Sequence, residues 1–329
     1  MDQQFLAVGD VTTDTFIRLT DAQVHCAIDT DQCTISMPWG AKIPYEFAIP
    51  VSAVGNAANA AISAARLGLR TSFLSATGTD ESGVASLATL RENDVATELV
   101  TTHKGLPSNH DFVLWFETER TILIKHSAFP YHIPSDTTPP PIVYLSSLGD
   151  ESGKAHAELI AWLSRFPQTK LVFQPGHELS MPRALTDPIY RAAYISVCNK
   201  EEAEGILGVG KTDMTELLKQ LRAIGPQVVI ITDGPKGAYA FDGTHILSVP
   251  LYPDPAPPYE RTGAGDAFAS AVAAALALGK PLDEALLWGP INSMSVVQKV
   301  GAQEGLLHRE ELEKLLAQAP ADYQIHQLS

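Results

Sequence analysis

The sequence predicts an α/β protein with a doubly wound, mostly parallel sheet flanked by helices, and a small β-sheet lid. Along most of the 329 residues, short apolar runs typical of strands alternate with runs of helical spacing. That alternation is the pattern of βαβ units, whose strands are parallel. Two segments, 16–50 and 108–127, break it with strand-like pieces that have no helix between them. Since such strands cannot join a buried parallel sheet, we expect a single domain, 1–329, with a discontinuous lid formed by these segments.

The individual elements are predicted from the period of their apolar residues and from the turn residues that bound them. The predicted strands are residues 5–9, 71–76, 142–146, 171–174, 194–198 and 228–232. The predicted helices are residues 56–67, 154–166, 201–207, 215–224 and 266–278. Within the lid, residues 111–116 and 120–126 have the pattern of a β-hairpin, joined by a turn at 117–119.

The composition indicates a globular protein and limits its partners. Hydrophobic residues make up 45% of the chain and charged residues 19%, enough apolar material for a core without disulfide or metal staples. With 23 Lys and Arg against 38 Asp and Glu, the net charge is −15, which repels nucleic acid backbones and anionic membranes. A small anionic ligand is not excluded, because one helix N-terminus can hold a phosphate inside an acidic protein.

The N-terminal sequence and the cysteines both favour the cytoplasm. The first residues lack the basic region and apolar stretch of a secretory signal. The longest uncharged run, 267–279, is too short to span a bilayer and is predicted to be a buried helix. Cys26, Cys33 and Cys198 are an odd number without metal-like clustering, so we expect free thiols in a cytoplasmic protein.

Residues 205–212 match the phosphate-binding pattern of a P-loop, but their surroundings do not. A P-loop needs a buried strand that runs into its first glycine and a helix after its Lys-Thr pair. The preceding residues, 199–204, are a charged helical stretch. We therefore predict a helix that ends near Gly208 and a second helix capped at Thr212 or Asp213.

The segment 261–268, Arg-Thr-Gly-Ala-Gly-Asp-Ala-Phe, carries the strongest chemical signal. Gly263, Ala264 and Gly265 allow backbone N–H groups to converge at the start of an Ala-rich helix, where the helix dipole is positive. Such an anion hole stabilises negative charge on a transferring phosphoryl group, and Asp266 beside it is placed to accept a hydroxyl proton. The simpler interpretation is a tight turn followed by a helix cap.

Two further segments lie in the first part of the chain. Residues 9–14, Gly-Asp-Val-Thr-Thr-Asp, follow the first strand, and residues 54–61, Val-Gly-Asn-Ala-Ala-Asn-Ala-Ala, open a helix. Together with the segment 261–268, they resemble the ribokinase-like (PfkB-type) family of carbohydrate and nucleoside kinases. The resemblance extends from Phe5 to about Leu307 and implies the ribokinase-like form of the predicted fold.

The resemblance implies a kinase that transfers the γ-phosphate of Mg-ATP to a hydroxyl, expected to be primary, of a sugar or sugar-like molecule. Asp266 matches the family's general base, and the backbone of 263–265 matches its anion hole. The positions that hold the acceptor are matched by Asp14, Gly55, Asn56 and Asn59. Short side chains rich in hydrogen-bond acceptors suit that role, although Asn and Asp also form turns and helix caps.

The family's nucleotide site is matched by residues from the second half of the chain, namely Asn199, Glu202, Thr232, Gly234, Gly237 and Asn292. Asn199 and Glu202 match an Asn-x-x-Glu element that organises Mg²⁺ and phosphates, largely through water, as a hard cation prefers. A solvated helix start is the alternative explanation for this pair. The glycines of the 232–237 turn allow close approach of ATP. Asn292 falls near the family's adenine edge.

A monovalent-cation site is also implied by the resemblance. Glu260 and Gly301 match a loop that holds a cation in ribokinase and its relatives, so activation by K⁺ is an expectation. The family often has Asp where this chain has Glu260, and Thr or Asn where it has Arg261.

Other features depart from the family pattern or carry no assigned chemistry. Many sugar-kinase relatives have an Asp-x-Asn pattern where this chain has Gln174, which cannot supply that carboxylate. Arg120 and Lys125 lie on the lid hairpin, where we expect a solvated strand face, with approach to an anionic substrate or to ATP phosphates as the alternative. The ten histidines show no spacing typical of metal ligands, so no chemistry is assigned to them.

Two other functions stay open, and a third is excluded. The aromatic-rich lid also suits stacking of a base, which favours a nucleoside kinase of the same fold. A non-catalytic ligand-binding or regulatory homologue would keep the fold, although the intact segment 263–266 argues against it. A Rossmann-type dehydrogenase would need Gly-x-Gly-x-x-Gly after the first strand, which residues 9–11 do not supply. The expected partner is a sugar or nucleoside, and the resemblance is compatible with a homodimer formed through the lid.

Overall fold

The computed structural model describes residues 3–26, 33–117, 119–149 and 152–328. The strands, in chain order, are β1 (Phe5–Val8), β2 (Thr12–Leu19), β3 (Gln23–Cys26), β4 (Cys33–Ser36), β5 (Tyr45–Val54), β6 (Thr71–Gly78), β7 (Val95–Ala96), β8 (Val100–His103), β9 (Asn109–Phe116), β10 (Glu119–Leu123), β11 (Ile142–Leu145), β12 (Lys170–Phe173), β13 (Ile195–Asn199), β14 (Val228–Thr232), β15 (Ala238–Phe241), β16 (Ile246–Val249) and β17 (His326–Gln327). The α-helices are α1 (Asn56–Arg66), α2 (Glu81–Glu92), α3 (Gly153–Leu163), α4 (Arg183–Ala192), α5 (Lys200–Leu207), α6 (Met214–Ala223), α7 (Ala264–Ala277), α8 (Leu282–Val296) and α9 (Arg309–Ala317).

Within the described part of the chain, the larger sheet has eleven strands in the order β17-β16-β15-β14-β13-β12-β11-β1-β6-β7, with β8 also paired to β6. From β14 to β7 the neighbouring strands are parallel, and the antiparallel β15, β16 and β17 extend one edge. The predicted doubly wound α/β fold is confirmed. The order of strands reverses beside β1, and in such sheets ligands bind at the carboxyl ends of the strands near that reversal.

The predicted strands and helices of the α/β body are all present, with ends displaced by at most a few residues. The strand β14 matches its prediction at both ends, because turn residues bound its apolar run on each side. Helices α2, α4, α8 and α9 have no counterpart in the prediction. Two of these, α4 and α8, contain the internal prolines Pro188 and Pro290, which in a sequence indicate the end of a helix.

Helices pack on both faces of the larger sheet and bring two helix N-termini to one place. Helices α1, α7 and α8 cover one face, and α3 and α4 cover the other. Alanines let α1 and α7 approach closely, and the Oγ atoms of Ser63 and Ser270 form a buried hydrogen bond of 2.8 Å between them. A Cβ on Gly9 would lie 2.4 Å from the Cβ of Ala57, so the end of β1 passes directly under the start of α1.

The predicted buried run 267–279 forms most of α7, and the side chains of this helix from Ala267 to Ala275 are buried. The helix therefore belongs to the core. No helix in the described ranges is both long enough and apolar enough to cross a membrane.

A smaller sheet has the order β10-β9-β2-β5, and the hairpin of β3 and β4 forms a separate pair. The strands of the smaller sheet overlap the predicted lid segments 16–50 and 108–127. Strand β2, however, begins at Thr12, close to the end of β1. Strands β9 and β10 form the predicted hairpin. Residues 27–32 of the first lid segment and Thr118 of the predicted hairpin turn lie outside the described residues.

The prediction of free thiols is wrong for two of the three cysteines. Cys26 and Cys33 form a disulfide, whereas Cys198 is free and buried. The reason is the antiparallel register of β3 and β4, which makes Cys26 and Cys33 direct partners with a Cα–Cα distance of 4.0 Å. Nothing in the spacing of the two cysteines indicates that a hairpin brings them together.

The rejection of a P-loop at 205–212 agrees with the structure. Helix α5 ends at Leu207, and Gly208 follows it with a left-handed φ of 67°. Asp213 caps α6 by accepting a hydrogen bond of 2.9 Å from the N–H of Thr215. This is the predicted helix-loop-helix connection.

Candidate active site

The loops after β1, β11 and β12 meet at the start of α1. The N–H of Asp10, after β1, donates a hydrogen bond of 2.8 Å to the carbonyl of Ser147, after β11. Gly176, after β12, approaches both neighbours, since a Cβ there would lie 2.9 Å from the Oγ of Ser147 and 3.3 Å from the Nδ2 of Asn56. These loops follow the carboxyl ends of the central strands, where the reversal of strand order predicts a ligand site.

Asp266, in the first turn of α7, is held by two amide side chains. Asn59 Nδ2 donates a hydrogen bond of 2.8 Å to one carboxylate oxygen, and Gln174 Nε2 donates one of 2.9 Å to the other. Burial raises the pKa of Asp266, and the two hydrogen bonds lower it without cancelling that rise. A carboxylate with a raised pKa and a fixed orientation is suited to accept a proton.

The orientation of these two amides is fixed by further residues. Gln303 Nε2 donates a hydrogen bond of 3.0 Å to the Oδ1 of Asn59, and Tyr144 donates its hydroxyl proton to the Oε1 of Gln174. Because both amide oxygens accept these bonds, both amide nitrogens face Asp266. Asn59, which is predicted to hold the acceptor, therefore also joins Gln303 to Asp266. The absent carboxylate at position 174 is also explained, because Gln174 supplies a donor to Asp266.

The backbone at the start of α7 forms the predicted turn. Gly263 precedes the helix with a φ of 78°, and a Cβ on it would lie 2.4 Å from the Cβ of Ala302. A residue with a side chain is therefore excluded at Gly263 without a shift of the backbone. A Cβ on Gly265 would meet only the Nε2 of Gln174, at 3.8 Å, within a 4 Å radius. The space above the amides of Gly265 and Asp266 is thus open to a ligand.

Three of the residues predicted to contact the nucleotide, Thr232, Gly234 and Gly237, lie beside this turn. A cavity of about 130 Å³ is lined by Thr232, Gly234 and Gly237 on one side and by Ala264 and Gly265 on the other. An adjoining cavity of about 340 Å³ shares Gly234, Ala264, Pro290 and Ser293 with the first and continues past Arg261. The 232–237 turn and the start of α7 therefore face one continuous cleft.

Asn292 does not fit its predicted place at the adenine edge. It is fully buried in α8, where its Nδ2 donates to Ser63 Oγ and to the carbonyl of Ala267, and its Oδ1 accepts from the N–H of Leu307. These bonds tie α8 to α1, α7 and the segment before α9. The next residue, Ser293, is the one that lines the cavity.

Asn199 and Glu202 cap the start of α5 through reciprocal hydrogen bonds. The Oδ1 of Asn199 accepts from the N–H of Glu202 at 2.8 Å, and the Oε2 of Glu202 accepts from the N–H of Asn199 at 2.9 Å. Burial raises the pKa of Glu202, and the negative charge of Asp266 raises it further. The pair therefore forms a helix cap, and Glu202 stays within electrostatic reach of Asp266.

A group of acidic residues near the end of β1 only partly overlaps the prediction. Asp14 on β2 and Asp111 on β9 are direct partners in the parallel register, so their side chains share one face of the smaller sheet. Burial, with the charge of Asp111 as a second cause, raises the pKa of Asp14 to about 7. Gly55, with a φ of 113°, lies close to this group, since a Cβ on it would be 3.0 Å from the carbonyl of Asp10.

His126 links two of these carboxylates, although no chemistry is assigned to the histidines from sequence. Its Nε2 lies 3.3 Å from Oδ2 of Asp111, and its Nδ1 lies 3.8 Å from Oδ2 of Asp10. The hydrogen bond with Asp111 raises the pKa of His126 despite the opposing effect of burial. Tyr131 donates its hydroxyl proton to the other oxygen of Asp10. Burial raises the pKa of Asp10 to about 6, although the hydrogen bond from Tyr131 lowers it.

Glu178 is a buried carboxylate that fixes the loops after β11 and β12. It accepts backbone hydrogen bonds from Ser147, Leu148 and Gly176 at 3.0 to 3.1 Å, and His156 Nε2 lies 3.3 Å from it. Burial alone would raise the pKa of Glu178, but these contacts outweigh it and lower the pKa. The sequence around Glu178 does not indicate this role, because Ser147, Leu148 and His156 lie on other segments of the chain.

The implied K⁺ site does not fit the residues present. Glu260 accepts hydrogen bonds from the N–H groups of Thr262 at 2.8 Å and Gly301 at 2.9 Å, and the guanidinium of Arg120 lies 3.6 Å away. The guanidinium of Arg120 already places a positive charge beside the Glu260 carboxylate and repels a second cation there. Arg120 lies on an exposed strand, as expected, and its ion pair with Glu260 also connects the smaller sheet to the loop before α7.

The chain is similar to known kinases over most of its length. Residues 26–309 match the model of the pfkB family of carbohydrate kinases. Ribokinase of Bacillus subtilis is 28% identical over 274 residues, which are 80% of this chain and 87% of that protein. Cytidine kinase of Thermococcus kodakarensis is 26% identical over 291 residues, covering 84% of this chain and 95% of that protein. Ribokinase of Arabidopsis thaliana, solved with ribose and ATP, superimposes with a TM-score of 0.81 at 20% identity over 96% of this chain and 99% of that one.

The family model covers most of the chain, and the structure has the fold that the family resemblance implies. The chain belongs to the pfkB family of carbohydrate kinases, and it is a kinase.

Proposed function

We propose that this kinase transfers the γ-phosphate of ATP to a hydroxyl, expected to be primary, of a sugar or sugar-like molecule. The observation that carries the proposal is Asp266 at the N-terminus of α7, oriented by Asn59 and Gln174. A carboxylate beside converging backbone amides combines a proton acceptor with a site for phosphoryl charge.

In this proposal Asp266 accepts the proton of the acceptor hydroxyl as that oxygen attacks phosphorus. The backbone N–H groups of 263–265 stabilise charge on the transferring group, because the start of a helix carries unsatisfied donors and a positive dipole end. Gly265 leaves the space that the phosphoryl group would occupy. Asp14, Gly55 and Asn56 orient the acceptor.

The nucleotide is proposed to lie in the cavity between the 232–237 turn and the start of α7. Mg²⁺ would neutralise phosphate charge during transfer. Glu202 is the residue suited to hold it through water, and the mutual repulsion of Glu202 and Asp266 favours a cation between them. The described residues contain no group of three or more His, Cys, Asp or Glu able to hold a metal, so phosphate and water oxygens would provide most of its ligands.

We further propose a cytoplasmic homodimer. The smaller sheet exposes large apolar side chains on β5, β9 and β10, including Tyr45, Phe112 and Leu123, each at least 43% exposed. An apolar face of this kind is suited to a second copy of the chain. The ATP that the proposal requires is a cytoplasmic metabolite, and the charge of −15 disfavours nucleic acid and membranes as partners.

The proposal is tested by measuring ADP release with Mg-ATP across a panel of sugars, sugar acids and nucleosides. Nucleosides belong to the panel because the similarity to cytidine kinase keeps that alternative in view. We expect turnover with at least one acceptor and its collapse in Asp266→Asn. Binding of panel members without turnover by any of them would support the non-catalytic alternative.

A further inference from the structure

Three carboxylates from three separate elements lie near one another where we propose that the acceptor binds. Asp10 follows β1, Asp14 lies on β2 and Asp111 lies on β9. Asp10 and Asp111 are connected through His126, and Asp111 and Asp14 are register partners. The three side chains therefore form one acidic group, which we call the acceptor triad.

Few positive charges oppose the acceptor triad. His126 is the nearest, and its side chain is 29% exposed. Arg120 acts on Asp14 at longer range, but its guanidinium is 3.6 Å from Glu260. Lys125 contributes its backbone N–H to Asp111 at 3.1 Å, and its side chain is exposed. The triad thus keeps a negative balance, with one histidine facing two carboxylates.

Three buried polar atoms around the triad have no hydrogen-bond partner among the described residues: Asp10 Oδ2, Asp14 Oδ1 and Asn109 Nδ2. Asp10 and Asn109 are more than nine-tenths buried. Asn109 lies two residues before Asp111 on β9, so it shares the face of the triad. Unpaired buried polar atoms are costly, which indicates that a ligand satisfies them.

The chemistry of these atoms specifies the ligand. Carboxylate oxygens only accept hydrogen bonds, and an amide nitrogen only donates them. A complementary ligand brings at least two donors and one acceptor, which neighbouring hydroxyl groups provide. A carboxylate or phosphate group brings acceptors alone and adds negative charge beside the triad.

We propose that the acceptor is an uncharged polyhydroxyl compound, recognised by the triad and Asn109, and that the site discriminates against sugar acids and sugar phosphates. The inference rests on the proposed kinase function and specifies its substrate class. Like charges at the distances found in a binding site repel strongly enough to disfavour an anionic acceptor by about tenfold or more.

Matched acceptors test the proposal directly. D-ribose is compared with D-ribonate, and D-fructose with 2-keto-D-gluconate, because each pair keeps a primary hydroxyl and differs by a carboxylate. Binding is measured by calorimetry without nucleotide, and kcat/KM by ADP release, both at pH 8. We expect the better neutral member to exceed its acid by about tenfold or more in binding and in turnover.

The outcomes separate this inference from the proposed function. Neutral compounds that bind but are never phosphorylated would contradict the kinase mechanism and leave the charge discrimination intact. An acid that binds and turns over as well as its neutral partner would overturn the inference and leave the kinase function intact. Absence of binding by all four compounds would also overturn it.

Two substitutions give opposite expected results. Asp111→Asn removes a negative charge and should reduce the neutral-over-acid preference, whereas His126→Gln removes the opposing positive charge and should increase it. A merely structural role would weaken all acceptors by the same factor. Asp242→Asn is the matched control, because Asp242 pairs with His245 at 3.5 Å on an exposed turn outside the cleft. It should leave the preference unchanged, and an unchanged preference in both Asp111→Asn and His126→Gln would overturn the assignment.

Discussion

Asn59 on α1 donates a hydrogen bond of 2.8 Å to Oδ2 of Asp266 on α7, although 207 residues separate them in sequence. The bond joins the two motif regions that carry the family resemblance. It also means that the helix predicted to hold the acceptor first orients the proposed base. The chemistry of the site therefore depends on how closely α1 and α7 pack.

Asp266→Asn should lower kcat by about 10² to 10⁴ fold, because general-base catalysis contributes a factor of this size. Asn keeps the volume of the side chain and changes its charge, so acceptor binding measured by calorimetry should change little. Steady-state ADP release measures the effect. A variant with near-parental kcat would show that another group accepts the proton.

Gln174→Met should move the acid limb of the pH profile of kcat to higher pH. Gln174 donates to the carboxylate of Asp266, and loss of a donor to the ionised form raises the pKa of Asp266. We expect a displacement of roughly half to one pH unit and recovery of activity at alkaline pH. Gln220→Met is a control of the same chemical change on the exposed face of α6, where Gln220 bonds Glu216. A uniform loss of activity at every pH in Gln174→Met would contradict this role.

The two glycines before Asp266 should respond differently to alanine. Gly263→Ala forces a φ of 78° on a residue with a side chain and meets Ala302, so we expect a loss of about 2 to 4 kcal/mol in the free energy of unfolding. Gly265→Ala has free space and ordinary backbone geometry, so its thermal stability should be unchanged or slightly higher. Its kcat should still fall by more than about tenfold, because the methyl group occupies the proposed phosphoryl position. Full activity in Gly265→Ala would argue against the anion hole.

Asp14→Asn should make the protein more stable at neutral and alkaline pH. The pKa of Asp14 is about 7 in the folded chain, well above the value of an exposed aspartate, so its ionisation opposes folding as pH rises between about 4 and 7. We expect a gain of about 1 to 3 kcal/mol at pH 8 that disappears below about pH 4. Urea unfolding at several pH values measures it.

Asp242→Asn should instead make the protein less stable at pH 8. Hydrogen bonds from the 244–245 turn outweigh the effect of burial and lower the pKa of Asp242. The Asp242 carboxylate stabilises the fold at pH values above the pKa that Asp242 has in the unfolded chain. This contribution is lost as the pH falls through the lower pKa of the folded chain. A stability gain at pH 8 in Asp242→Asn, or a loss in Asp14→Asn, would contradict the assigned directions.

Strands and helices are predictable from the sequence where a run of consecutive residues specifies them. The apolar run of β14 and the glycine turn before α7 are both specified by consecutive residues. The contacts of Gln174, His126 and Glu178 are not, because each depends on which segments the sheet places side by side. Asn292 illustrates the same limit, since periodicity does not reveal whether a polar residue in a buried helix faces a ligand or the neighbouring helices.

Potassium should have little effect on this kinase. The oxygens of Glu260 accept from two backbone N–H groups and face Arg120 at 3.6 Å, so a positive charge is already present where the family resemblance implies a cation. We expect kcat/KM in K⁺ and in Na⁺ at equal ionic strength to agree within about twofold. Arg120→Met removes that charge and should lower kcat/KM in both salts, because the smaller sheet loses its ionic contact with the loop before α7. Lys125→Met, on the same segment and without a side-chain contact to Glu260, is the control. Strong activation of the parent chain by K⁺ would show that Glu260 exchanges its present partners for the ion during the reaction.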